Sequence, residues 1–211
     1  MAAYTLYGHP RSGNAYKTAL MLSMTGTPYD FRLIDLMDGS NLLPEYLAVN
    51  PMGKVPTLVH GDLIIRQSFD TLRYLFEQTG QFGYANWEEQ ARIGDWIGFS
   101  VDYFSFGLAR LRFERLFGAG DQTDTFAHFK KSADRGLGII EPHLGENDWL
   151  ACGRPTIADM SCYPVATFME DAGYNPADYP NFSAWRTRFE ALPGWGSQLD
   201  LMPSPNWPPK K

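Results

Sequence analysis

A serine at the start of a predicted helix is the first residue that suggests chemistry. Ser12 and Asn14 follow strand-like residues 4–7 and precede helix-forming residues from Ala15 to Met24. The N-terminus of a helix favours an anion, because its backbone N–H groups and its dipole point toward one. Ser12 is therefore a candidate for holding an anionic atom of a ligand. The structural alternative is that Ser12 or Asn14 only caps the helix, which is worth about 1 kcal/mol.

A second serine stands in the same kind of position later in the chain. Gln67 and Ser68 open a predicted helix that runs through Gln78, directly after strand-like residues 63–66. The hydroxyl and the backbone N–H of Ser68 can hold a carboxylate by the same reasoning about helix termini. An ordinary N-cap at Ser68 is the alternative, and the two roles are compatible.

The first 80 residues alternate strand and helix signals. Hydrophobic periodicity and turn residues predict strands at 4–7, 29–35, 57–60 and 63–66 and helices at 15–24, 42–49 and 67–78. This order, β-α-β-α-β-β-α, begins with the smallest unit that pairs two parallel strands. A rigid connector at residues 50–56 ends in Val55-Pro56, an X-Pro bond that can be cis.

The chain changes character after Gly80. From Trp87 onward no convincing strand is found, and helical patterns cover residues 87–117, 121–144, 156–173 and 182–192. We therefore predict two domains: an α/β domain at 1–80, a linker at 81–86 and an all-helical domain at 87–202. The segment 203–211 is predicted to be an irregular, proline-rich tail.

Composition excludes several classes of function. The net charge is −6, without the basic excess that nucleic-acid binding needs. No stretch is apolar enough for a transmembrane helix, and the first residues do not form a secretory signal. Two cysteines, with no Cys-x-x-Cys and four scattered histidines, argue against a metal site. A cytoplasmic location, with no nucleic-acid and no membrane partner, is expected.

Four segments together resemble the cytosolic glutathione transferases over nearly the whole chain. They are Pro10-Arg11-Ser12-Gly13-Asn14-Ala15-Tyr16-Lys17, Asn50-Pro51-Met52-Gly53-Lys54-Val55-Pro56-Thr57-Leu58, Arg66-Gln67-Ser68 and Thr156-Ile157-Ala158-Asp159. The likeness is strongest to the serine-type classes, theta- and zeta-like, and especially to bacterial members. It implies a thioredoxin-like N-terminal domain followed by an all-α domain, glutathione as co-substrate, no metal, and a homodimer.

The resemblance implies a specific role for Ser12. In the family, the matching residue donates a proton to the glutathione sulfur and stabilises it as thiolate. A thiol with a pKa of about 8.5 is only a few per cent thiolate at pH 7, and lowering that pKa by about 2 units needs roughly 2.7 kcal/mol. One hydrogen bond to a charged sulfur supplies about 1.5–3 kcal/mol and the helix end up to about 1 more. Asn14 can add a second donor, whereas Tyr7, at the end of the first strand, is the rival to Ser12 because other classes use a tyrosine there.

The resemblance also assigns the remaining polar contacts. It implies a cis bond before Pro56, which lets Val55 pair with the cysteinyl backbone of glutathione like an added strand. Lys54 would meet the glycyl carboxylate, or else be a solvent-facing lysine. Gln67 would bond the γ-glutamyl amine and Ser68 the γ-glutamyl carboxylate. Most family members carry an acid where Gln67 stands, but glutamine matches the zeta-like variant.

Two features of the second domain complete the prediction. Trp96, Phe99, Tyr103 and Phe106 recur at helical spacing and form one apolar face, interpreted first as packing. Tyr103 and Phe106 are candidate walls of a pocket for a hydrophobic electrophile. The segment from Thr156 to Asp159 is interpreted as a structural capping box.

Glutathione transfer to a hydrophobic electrophile is the leading prediction for function. A glutathione-dependent isomerase is an alternative, although the zeta signature has Cys and Arg where Asn14 and Tyr16 stand. Disulfide reduction through glutathione alone is a further alternative, since the protein lacks a Cys-x-x-Cys of its own. A non-catalytic binding or stress protein of the same fold belongs to a different class. Intact Ser12, Pro56 and Ser68 argue against it.

Overall fold

The computed structural model describes residues 2–118 and 123–205, which divide into two compact units. One unit contains residues 2–81 together with 192–205, and the other contains residues 82–191. The sequence patterns place residues 192–202 in the helical domain. In the structure they belong to the first unit, because backbone carbonyls of this segment accept hydrogen bonds from the side chains of Tyr16 and Tyr29.

The first unit is built on a four-stranded sheet flanked by helices. The strands are β1 (Tyr4–Gly8), β2 (Tyr29–Leu33), β3 (Thr57–His60) and β4 (Leu63–Ile65). They lie in the order β2-β1-β3-β4, with β1 and β2 parallel and the other two pairings antiparallel. The helices are α1 (Gly13–Met24), α2 (Pro44–Leu47), which follows a 3-10 turn at Ser40–Leu42, and α3 (Ser68–Thr79). The predicted order of elements is confirmed.

The core of the first unit holds α1 and α3 against each other and against the sheet. Leu6, Leu20, Leu58 and Leu72 are fully buried, and each contributes about 1.5–3 kcal/mol by leaving water. The hydroxyls of Thr18 in α1 and Thr71 in α3 lie 2.7 Å apart, so the polar atoms at this contact satisfy one another.

The segment after residue 191 closes over α1. It contains α9 (Gln198–Leu201). Its backbone carbonyl oxygens accept hydrogen bonds from the rest of the first unit. Tyr16 donates to the carbonyl of Gly196 at 2.8 Å, and Tyr29 donates to that of Leu201 at 2.7 Å. Met202 is fully buried at the end of this segment.

The regular elements of the second unit are all helical among its described residues. Its elements are α4 (Trp87–Phe99), a π-helical segment (Ser100–Leu108), α5 (Ala109–Phe117), α6 (Asp124–Glu146), α7 (Ile157–Ala166), a 3-10 turn (Pro176–Asp178) and α8 (Pro180–Glu190). The pattern at residues 156–173 predicts one longer helix. The helix ends earlier, at Ala166, and turns follow it, in which the backbone N–H groups of Phe168 and Met169 bond three residues back.

The π-helical segment lies directly against α6. A Cβ placed on Gly107 would come within 2.7 Å of the backbone nitrogen of Ala133, and one on Gly136 within 2.6 Å of the Tyr103 side chain. Glycine is therefore required at both positions for this close approach. No helix among the described residues is long and apolar enough to cross a membrane.

Candidate functional site

Ser12 occupies the loop that joins β1 to α1. It has extended backbone geometry and caps α1, with its Oγ accepting from the backbone N–H of Ala15 at 3.2 Å. Its own backbone N–H donates to the carbonyl of His9 at 2.9 Å, which closes the loop. The cap uses a lone pair of the hydroxyl oxygen, so the same hydroxyl keeps a proton to donate. Capping and holding an anion are thus compatible at Ser12.

His9 is a buried residue beside Ser12. Its Nδ1 accepts from the backbone N–H of Arg11 at 3.1 Å, and its Nε2 lies 3.8 Å from Oδ1 of Asp35. Burial lowers the pKa of His9, although Asp35 opposes that shift. The neutral ring keeps Nδ1 as an acceptor and so supports the Ser12 loop. Sequence reasoning missed this contact, and the available signal was the position of His9 three residues before Ser12.

The first turns of α1 and α3 are joined by side chains. Asn14 is exposed and half-buried Ser68 faces it, with the Ser68 hydroxyl donating to Oδ1 of Asn14 at 3.4 Å. The N-cap of α3 is Gln67 rather than Ser68, and no side-chain hydrogen bond caps this helix. Ser68 is the first helical residue, so the ordinary N-cap alternative for it is not what the structure contains. The backbone N–H groups at the open N-terminus of α3 are available to a ligand, and the Ser68 hydroxyl becomes a donor to that ligand when it turns away from Asn14.

The connector before β3 is held in place by hydrogen bonds to the backbone carbonyl of Lys54. The Val55–Pro56 peptide bond is cis. The carbonyl of Lys54 accepts from the Tyr46 hydroxyl at 2.6 Å and from the Asn50 side chain at 2.7 Å. The Lys54 side chain is exposed and Val55 is half-buried. The buried side chains of Tyr46 in α2 and of Asn50 after it therefore fix the backbone at Lys54, and the Lys54 ammonium group stays in solvent.

Tyr7 faces away from α1. A Cβ on its neighbour Gly8 would lie 3.2 Å from the Cβ of Ala15 in α1. Successive strand residues point to opposite faces, and the Tyr7 ring accordingly packs against Tyr46 of α2 at 5.8 Å between ring centroids. Tyr7 thus lies on the α2 side of β1, whereas Ser12 lies in the loop that caps α1.

The aromatic face predicted on the long helix is only partly continuous. Trp96 contacts Phe99 and Phe99 contacts Tyr103, with ring centroids 5.0 and 5.1 Å apart. Phe106 instead packs against His128 and Phe129. The π-helical turn bonds residues five apart, which shifts the register of a pattern read at 3.6 residues per turn.

A pocket of about 270 Å³ lies elsewhere in the second unit. Trp96, His143, Trp149 and Cys152 are among its lining residues, whereas Tyr103 and Phe106 are not. Both cysteines of the chain, Cys152 and Cys162, are free.

The capping box at the start of α7 is confirmed. The Thr156 side chain caps the helix. In the reciprocal hydrogen bond, the Asp159 carboxylate accepts from the Thr156 backbone N–H at 2.9 Å. The fully buried Asp159 carboxylate also accepts from the Leu150 backbone N–H and the Trp185 indole N–H, at 3.1 and 3.0 Å. Its contacts are internal, which supports a structural role.

Comparison with known proteins gives the same family over both units. The glutathione S-transferase N-terminal domain matches residues 2–77 and the C-terminal domain matches residues 119–193. Glutathione S-transferase 3 of Zea mays is 28% identical over 216 residues, which cover 97% of each chain. Glutathione S-transferase theta-2 of Homo sapiens is 29% identical over 178 residues, covering 80% of this chain and 73% of that one.

A solved structure agrees with these relatives. The crystal structure of a glutathione S-transferase from Pseudomonas fluorescens has a TM-score of 0.88 and 27% identity, covering 94% of this chain and 100% of that one. The predicted fold, a thioredoxin-like α/β domain followed by a helical domain, is confirmed. Since the two domain matches account for more than two thirds of the sequence, this chain belongs to the glutathione S-transferase family.

Proposed function

We propose that the protein is a glutathione transferase in which Ser12 stabilises the thiolate of bound glutathione for attack on a hydrophobic electrophile. The observation that carries this proposal is the Ser12 hydroxyl at the N-terminus of α1. The hydroxyl oxygen accepts a hydrogen bond from the backbone N–H of Ala15, and the hydroxyl proton remains to bond the sulfur. A hydrogen bond of about 1.5–3 kcal/mol together with the helix end of up to about 1 lowers the thiol pKa by roughly 2 units. No general base is then required.

The remaining glutathione contacts follow the polar groups around the two helix starts. Ser68 and the uncapped N-terminus of α3 hold the γ-glutamyl carboxylate, and Gln67 bonds the γ-glutamyl amine. Val55 pairs with the cysteinyl backbone beside the cis bond at Pro56. The exposed Lys54 ammonium meets the glycyl carboxylate. Asn14 is a second donor to the sulfur through the N–H groups of its side chain.

The electrophile side of the reaction rests on apolar groups of the helical unit. Tyr103 is half-buried and Phe106 keeps 46% of its surface exposed, so both are available as pocket walls. We propose that the protein acts in the reducing cytoplasm as a homodimer. The two free cysteines support that compartment.

Calorimetric titration with reduced glutathione at neutral pH tests the binding half of the proposal. Saturable binding of one glutathione per chain is expected. Ser68→Ala should weaken it, whereas Ser12→Ala should change it little, because Ser12 acts on the sulfur. Absence of binding at millimolar glutathione would contradict a transferase function.

The catalytic half is tested by two substitutions at position 12. Ser12→Ala removes both the cap and the sulfur donor, and Ser12→Asp keeps a good cap but places a carboxylate beside the sulfur. Both should raise the pKa of the bound thiol, measured by thiolate absorbance, and lower kcat/KM by about tenfold to a hundredfold. Only Ser12→Ala should lose helix-cap stability. Normal turnover in both variants would assign Ser12 to capping alone.

A further inference from the structure

A second cavity lies within the first unit, on the α2 side of the sheet. It has a volume of about 380 Å³ and is lined by residues of β1, the segment after β2, and α2: Tyr7, Ile34, Leu43, Glu45, Tyr46 and Val49. Its size falls in the range of small-molecule sites, and most of these side chains are apolar or aromatic. The volume suits a one- or two-ring molecule.

The segment that supplies Leu43 to the cavity carries several exposed apolar side chains. Leu43, which lines the cavity, keeps 52% of its surface exposed. Leu42 and Met37, on the same segment, are 64% and 59% exposed. Exposed large hydrophobic side chains gathered on one segment are typical of a surface that binds an apolar partner.

The polar groups of the cavity differ in how far they are already satisfied. The Tyr46 hydroxyl donates to the Lys54 carbonyl, and Ser40 donates to Asp38. For the Tyr7 hydroxyl, no hydrogen bond is found within residues 2–118 and 123–205. Among the hydroxyl groups of the cavity, that of Tyr7 is therefore the one with a free donor and acceptor for a ligand.

Charge at the cavity disfavours anions. Glu45 is exposed in the first turn of α2, and none of the lining residues is a cation. A carboxylate-bearing ligand would meet repulsion there without a compensating partner. Glutathione, which carries two carboxylates, does not fit this chemistry.

We propose that this cavity binds small neutral aromatic molecules that carry one hydroxyl or carbonyl group, with Tyr7 as their hydrogen-bond partner. Tyr7 and Tyr46, whose rings lie 5.8 Å apart at 45°, supply aromatic walls. Ser12 is not among the residues that line this cavity. The site does not depend on the proposed transferase activity.

The test uses three matched probes with the full-length protein saturated with glutathione: 2-naphthol, 2-methylnaphthalene and 2-naphthoate. Binding is followed by NMR line broadening of the probe. 2-Naphthol is expected to bind, and 2-naphthoate to bind at least tenfold more weakly. Equal binding of the neutral and anionic probes would overturn the proposal.

Two substitutions test whether 2-naphthol binds in this cavity or elsewhere on the protein. Val49→Phe fills the space and should abolish binding of 2-naphthol. Val59→Phe makes the same change on β3 outside the lining and should leave it unchanged. Binding that survives Val49→Phe would refute the site. Failure of glutathione alone to bind would instead bear on the proposed function, since the probes can also be titrated without glutathione.

The role of Tyr7 has its own readout. Tyr7→Phe should weaken binding of 2-naphthol about threefold to tenfold, the loss of one neutral hydrogen bond. The affinity for 2-methylnaphthalene, which has no hydroxyl, should not change. An equal loss for both probes would mean that Tyr7 contributes packing only, against the proposal.

Discussion

The hydroxyl of Ser68 donates to the side-chain oxygen of Asn14 across 3.4 Å and so joins the first turns of α3 and α1. With the carboxamide oriented in this way, the oxygen of Asn14 is engaged and both N–H groups of its nitrogen remain to donate. The two helix N-termini are also held together deeper in the unit by Thr18 and Thr71. One side chain thus connects the proposed γ-glutamyl carboxylate contact to the proposed sulfur contact.

Replacing Asn14 with aspartate tests this connection. Asn14→Asp keeps an oxygen for Ser68 but replaces the two N–H donors with negative charge. The pKa of the bound glutathione thiol should rise by about 1 unit or more, because a like charge disfavours the thiolate. Thiolate absorbance across a pH series measures it. Asn14→Ala, which removes the donor without adding charge, should raise that pKa less, and an unshifted pKa in Asn14→Asp would place Asn14 away from the sulfur.

The exposed ammonium of Lys54 gives a prediction about salt. Lys54→Gln should weaken glutathione binding about threefold to tenfold at low ionic strength, and the difference should shrink at high salt because exposed charges are screened. Calorimetry at two salt concentrations measures both effects. Lys131→Gln is the matched control, since Lys131 is an exposed lysine of the helical unit. A salt-independent loss would indicate that the Lys54 side chain acts through packing.

Local patterns predicted most of the first unit. Strand and helix order there depends on short-range signals, such as the turn at Gly61-Asp62 between β3 and β4 and the left-handed Gly80 that ends α3. The two candidate serines were found for the same reason, because each lies at a helix start that its neighbours define. Helix α2 is shorter than the predicted 42–49 because Pro44 starts it two residues later and it ends two residues earlier, at Leu47.

Long-range contacts could not be predicted from such patterns. The docking of residues 192–205 depends on Tyr16 and Tyr29, which lie more than 170 residues away along the chain. The packing of the Tyr7 ring depends on Tyr46 of α2, and the partial loss of the aromatic face depends on a π-helical segment that lies against α6. Each of these is a property of the assembled unit.

Substitution of Met202 tests how strongly residues 192–205 are attached to the rest of the first unit. Its side chain is fully buried in the first unit, so Met202→Ala should lower the free energy of unfolding by about 2–5 kcal/mol. Urea denaturation gives this value. Leu199→Ala is the control in the same segment, because Leu199 is 38% exposed and should cost much less. Equal effects of the two substitutions would mean that the segment is not docked as a unit.

Two capping boxes with aspartate at the same position predict opposite responses to pH. Asp159 is buried, and burial raises its pKa from 3.8 to about 6 despite four accepted hydrogen bonds. Asp200, at the start of α9, is exposed, and its hydrogen bonds from the Ser197 side chain and backbone lower its pKa. Whether the aspartate of a capping box stabilises the folded protein more at low or at high pH therefore depends on its solvent exposure.

For Asp159 the folded protein holds a proton between pH 4 and 6 that the unfolded chain has released. Its contribution is therefore present below pH 4 and is lost as pH rises through 6, a change of roughly 3 kcal/mol for a shift of about 2 pKa units. For Asp200 the sign is reversed, and the contribution is lost as pH falls. Urea unfolding from pH 4 to 7 should show a falling difference between wild type and Asp159→Asn. For Asp200→Asn the difference should rise with pH below about pH 4, so this series is extended to lower pH. A rising difference for Asp159→Asn as well would mean that the four hydrogen bonds outweigh burial and that this carboxylate stays ionised in the core.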